Sequence, residues 1–70
     1  MSWEQSVYSS NVASVGWNDD TQEIIVTWQN GRRSAYSGGS EELAQQAANA
    51  ASVGQFVNAE IKNQLSHRYV

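Results

Sequence analysis

Seventy residues with a formal net charge of −3 and no cysteine make one small domain and exclude disulfides, thiol nucleophiles and cysteine-based zinc sites. The acidic balance argues against broad, charge-driven binding to nucleic acid. A chain this short buries a modest core, so its three tryptophans, Trp3, Trp17 and Trp28, or a partner chain, are the expected staples.

In chain order, residues 1–10 are polar and are expected to be extended or loosely packed, residues 1–8 above all. The first residues lack the basic start and apolar run of a signal peptide, and no stretch is long or apolar enough to span a bilayer. A soluble cytoplasmic protein without membrane contact is expected.

Val12 to Trp17 places Val15 and Trp17 at period two and reads as a short strand, with Gly16 as its weak point. Asn18-Asp19-Asp20-Thr21 is a turn cluster. Glu23 to Gln29 is the clearest strand, with Ile24, Val26 and Trp28 on one face and Ile25, Thr27 and Gln29 on the other. Asn30-Gly31 signals a hairpin, and Arg32 to Ser37 is the return strand.

The register of that hairpin is open between two solutions. A two-residue loop pairs Ile25 with Tyr36 and turns Tyr36 away from the Ile24/Val26/Trp28 face. A three-residue loop, with Gly31 closing a bulge, pairs Ile24 with Tyr36 and gathers the large apolar groups on one side, which favours it.

Gly38-Gly39 stops the sheet, and Ser40 caps a helix over Glu41 to Ala50, with Glu41 and Glu42 where the macrodipole favours acids. Leu43, Ala47 and Ala50 form its expected buried stripe. Ser52-Val53-Gly54-Gln55 has the form of a capping box ahead of an apolar pattern at Val53, Phe56, Val57, Ile61 and Leu65. The tail from Ser66 to Val70 carries no assignment. The expected fold is α+β, a three-stranded antiparallel meander followed by two helices packed on one face.

Across about residues 7 to 69 the chain resembles the KTSC domain family, named for a short module at the C-terminus of some lysyl-tRNA synthetases and found also as free-standing small bacterial and phage proteins. The resemblance rests on Ser9-Ser10-Asn11-Val12, Val15-Gly16-Trp17, Ile24-x-Val26-x-Trp28-x-Asn30-Gly31 and Tyr36-Ser37-Gly38. It rests also on Ala50-x-Ser52-x-Gly54-x-Phe56-x-Asn58-x-x-Ile61-Lys62. Three positions depart from the family pattern: Ser34 stands where a tyrosine is usual, Gly39-Ser40 where Val-Pro is usual, and Leu65 where a tyrosine is common. The resemblance implies RNA binding, suggested by attachment to the synthetase.

Candidate binding residues each have a second, structural explanation. Arg32 and Arg33 present guanidinium forks suited to phosphate, but are equally explained as solvent charges beside a turn. Adjacent strand residues face opposite sides, so the two cannot serve one flat site. Asn58 and Lys62, four apart on the second helix, can hold an anion or a base edge, or can tether and cap the helix. Ser52, with Gly54, either opens an anion site or caps the helix. Arg68 and His67 join Lys62 as late basic residues, and Tyr36 lies beside them if the hairpin and the C-terminus are neighbours.

Gly31, Gly38, Gly54, Trp17, Trp28, Phe56 and Ile61 are expected to act structurally. His67, the sole histidine, has no orienting carboxylate in view, so neither catalysis nor a metal site is expected, and no cofactor is implied. The chain reads as a small non-enzymatic binding module for RNA or a nucleotide-like anion. The alternative is a protein–protein or self-assembling module, and a homo-oligomer holding a nucleotide at a subunit boundary merges the two.

Overall fold

The computed structural model describes residues 2–70. Five strands form one antiparallel sheet in sequence order: β1 (Trp3–Ser6), β2 (Val12–Asn18), β3 (Glu23–Trp28), β4 (Arg33–Ser37) and β5 (Ser66–Tyr69). Helix α1 (Glu41–Ala48) follows β4. Helix α2 (Val53–Phe56) runs on into a π-helical segment (Val57–Lys62) that delivers the chain to β5.

The sequence leads to a three-stranded meander, and the structure corrects it to a five-stranded sheet. The meander's strands are β2, β3 and β4, and two edge strands flank them. The first ten residues, expected to be loosely packed, supply β1, with Trp3 opposite Trp17 and Glu4 opposite Gly16. The unassigned tail supplies β5, with His67 opposite Tyr36 and Tyr69 opposite Ser34.

Both edges escaped the hydrophobic pattern for one reason. All four β5 residues are exposed, as are three of the four in β1, so neither strand shows the apolar alternation of a half-buried strand. Backbone pairing and side-chain tethers hold them in place. Glu4 on β1 accepts hydrogen bonds from Ser14 on β2, Thr27 on β3 and Arg33 on β4. Arg68 on β5 donates a fork of two bonds, 2.9 and 2.7 Å, to Glu23 on β3.

The core lies between the other sheet face and the helices. Val12, Val15, Ile24, Val26, Val57 and Ile61 are fully buried there with Tyr36 and Trp17. Burying each Val or Ile contributes roughly 1.5–3 kcal/mol, so the central strands and the second helix carry most of the stability. Helix α1 packs on β2 through Ala44, Ala47 and Ala48 rather than the expected Leu43/Ala47/Ala50 stripe. Alanines let the helix backbone approach the sheet, while Leu43 sits half-buried at the rim. The Ser40 hydroxyl caps α1 by accepting from the Leu43 N–H, 3.2 Å. The expected capping box at Ser52 is not formed: Ser52 precedes α2, but its hydroxyl makes no cap bond.

The hairpin takes the three-residue register. Gly31 N–H donates to the Trp28 carbonyl (3.0 Å), Trp28 N–H donates to the Arg32 carbonyl (2.8 Å), and Ile24 pairs with Tyr36. Gly31 has φ +90°, the positive value that such a bulge requires.

Candidate nucleotide-binding cleft

Helix α1 packs on β2 and is tied to β1 by the Trp3 indole N–H, which donates to Glu41, and the Gln5 amide, which donates to the Ala48 carbonyl. At the other end of the sheet, Trp28, Tyr36, His67 and Tyr69 line a cleft of about 340 Å³ with Arg32 and Lys62 at its rim. That volume lies at the small end of ligand sites, which run from roughly 300 to 1,000 Å³.

Strand pairing builds its aromatic wall. Tyr36 is buried and forms the floor, His67 stands opposite it on β5, and Tyr69 follows two residues on, so all three share one face. The Tyr36 and His67 ring centroids are 5.0 Å apart, and His67 meets Tyr69 edge-on at 4.6 Å. Trp28 closes the other side, its ring oriented by an indole N–H that donates to the buried Ser34 hydroxyl, 2.8 Å. Burial pushes the Tyr36 hydroxyl above the ordinary phenol value, so it remains a neutral donor at physiological pH.

The cations decide the character of the cleft. The chain has four Lys and Arg side chains. Arg33 is paired with Glu4 (3.2 Å) and Arg68 with Glu23 (2.7 Å), both on the sheet face away from the helices. The Ser14 hydroxyl, helped by Thr27 and Arg33, holds the Glu4 carboxyl below the usual carboxylate range, and Arg68 does the same for the Glu23 carboxyl. The other two cations lie over rings of the cleft, the Arg32 guanidinium 5.2 Å from the Tyr69 centroid and Lys62 Nζ 5.9 Å from that of Trp28. Among the described residues no carboxylate lines this cleft, and neither Arg32 nor Lys62 forms an ion pair.

The structure thus brings Arg32, Tyr36 and Lys62 together and sends Arg33 and Arg68 to the opposite face. Asn58, on the π segment with Lys62, lines an adjoining hollow of about 380 Å³. Ser52 and Gly54 lie farther along, in a polar hollow of about 290 Å³ that also touches Asn58. A Cβ on Gly54 would stand 3.1 Å from Ser9 Oγ, so this glycine lets the loop before β2 approach the helix. Sequence reasoning gave Trp28 only a structural role and left Tyr69 unplaced. His67 and Tyr69 do recur at period two, but two aromatic residues in an otherwise polar, exposed stretch are too short a pattern to assign a strand. Among the described residues no three His, Asp or Glu side chains converge as a metal site, and no helix is long and apolar enough to cross a membrane.

Comparison with known proteins decides the family. The KTSC domain model matches residues 8–65. The chain belongs to the KTSC domain family. The crystal structure of a KTSC domain protein from Yersinia pestis is similar to it with a TM-score of 0.87 at 26% identity, covering 100% of this chain and 99% of the other. No curated protein matches the chain. In this KTSC domain the cleft falls where β4, β5 and the π segment meet, and its last aromatic residues lie beyond the stretch matched by the family model.

Proposed function

We propose that this KTSC domain is a non-enzymatic binding module whose cleft takes a nucleotide unit of RNA or a similar aromatic anion. The base stacks among Trp28, His67 and Tyr69, and the phosphate meets Arg32 and Lys62. The observation that carries this reading is the sorting of charge. In a chain of net charge −3, the two cations without carboxylate partners stand over aromatic rings at one cleft. His67 faces rings there rather than an orienting carboxylate, which favours binding over acid–base chemistry.

Isothermal titration with nucleoside 5′-monophosphates tests this reading. Tyr69 is well exposed, so Tyr69→Ala leaves the fold intact and removes one stacking face. Stacking is worth about 1–3 kcal/mol per base, so affinity should fall roughly 5- to 150-fold. Arg32→Ala should weaken binding and reduce its dependence on salt. Unchanged affinity in both variants would remove the cleft from consideration.

A second reading, self-association, is favoured by the outer edge of β5, which has no strand partner among the described residues and presents exposed Tyr69 and Val70. Sedimentation velocity separates the two: a monomer that binds nucleotide supports the cleft alone.

A further inference from the structure

We infer that the site continues beyond one nucleotide and takes a single-stranded oligonucleotide of about three units along one groove, an inference that rests on the nucleotide reading of the aromatic cleft. The cleft and the neighbouring hollow share Trp28, Asn30 and Lys62. That hollow and the next share Ser10, Asn11 and Asn58. The three compartments, of about 340, 380 and 290 Å³, therefore adjoin in a row along the π segment and the loops that face it.

The chemistry changes along that row in the way an extended strand requires. Rings and cations dominate the first compartment. The second carries side-chain amides, and the exposed Asn58 side chain, which has no hydrogen-bond partner among the described residues, presents both a donor and an acceptor to a base edge. Lys62 stands at the junction of the first two compartments, where successive bases leave a bridging phosphate. The third compartment is lined mainly by hydroxyl and amide groups, with fully exposed Tyr8 at its lip. A fully exposed ring at the end of this row offers a second stacking platform. No Asp or Glu lines any of the three compartments, although the chain has seven acidic residues.

The test is titration of the full chain with an adenylate series of one, two, three and six nucleotides, in ribo and deoxyribo form. Affinity should rise with each unit up to three and then level, in either series. Preference for the ribo series assigns RNA as the source, and equality assigns backbone and stacking contacts alone. Tyr8→Ala should weaken the trinucleotide roughly fivefold or more and leave the mononucleotide unchanged. Asn58→Ala should weaken the dinucleotide in the same selective way. If the mononucleotide binds as tightly as the trinucleotide, or Tyr8→Ala leaves the trinucleotide unaffected, the extended groove is overturned while the single-nucleotide cleft stands. If neither length binds, both fall.

Discussion

Gly31 offers a sharp test of how the hairpin builds the cleft. Its φ of +90° lies in the region that L side chains rarely adopt, yet a Cβ built there meets no atom within 4 Å. Replacing it with alanine therefore adds no clash, and the effect is conformational alone. Holding a non-glycine residue in the left-handed region costs about 1–2 kcal/mol. Alanine also restricts the unfolded chain, which offsets about 0.4–1 kcal/mol. The net loss is about 1 kcal/mol, which for a domain of this size lowers Tm by roughly 4–8 °C.

Gly31→Asn should lose less, because asparagine tolerates positive φ better than alanine. Thermal and urea unfolding of the wild type and the two variants measure the order directly. The bulge also fixes the Arg32 carbonyl on the Trp28 N–H, so the alanine variant should bind nucleotide more weakly as well. An unchanged Tm in Gly31→Ala, or an asparagine variant less stable than alanine, would refute the assigned turn.

Gly16→Ala should release β1 without unfolding the centre of the sheet, because a Cβ there would fall 2.5 Å from the Trp3 backbone carbonyl, which must move; hydrogen exchange should show lost protection in residues 3–6 and in the β2 amides that face them, while β3 and β4 stay protected. Ser34→Ala removes the acceptor of the Trp28 indole N–H and should cost about 1–3 kcal/mol, seen as a lower Tm together with weaker nucleotide binding. Acid should loosen both edge strands. Glu4 and Glu23 have folded pKa values below the ordinary 4.5, so their stabilisation is present above that value and is lost as pH falls through the depressed folded values. Melting temperature should hold from neutral pH to about 5 and then decline, and Glu4→Gln should lower the plateau and flatten the decline, modestly because its ion pair is solvent-screened.

Much of the centre of this KTSC domain was legible in the sequence. Ile24, Val26 and Trp28 alternate, Asn30-Gly31 turns the chain, and the demand to place Tyr36 with the large apolar groups selects the observed register. The edges were not legible, because Glu4 and Arg68 hold them through partners 10 or more residues away in sequence, a tertiary fact that local pattern does not contain. The same distance effect divided the site. Arg32, Tyr36 and Lys62 could be read as candidates from chemistry and spacing. Tyr69 and His67 join them only because β5 pairs with β4, while strand alternation carries Arg33 and Arg68 to carboxylates on the other face. Ser52 looked like a cap on sequence, but the loop around Ser9 approaches this helix start and the hydroxyl stays unused as a cap.

The most direct test of the cleft is a ¹H–¹⁵N correlation spectrum of the labelled protein during titration with a nucleoside 5′-monophosphate. The three indole N–H groups are distinct reporters, since Trp3 donates to Glu41, Trp17 to Asp19 and Trp28 to Ser34. The Trp28 indole signal should move, with the backbone signals of Arg32, Tyr36, Lys62, His67 and Tyr69, while the Trp3 and Trp17 indole signals stay in place. No shift at millimolar nucleotide, or shifts centred on Glu4 and Arg33 on the opposite face, would contradict the assignment of this cleft.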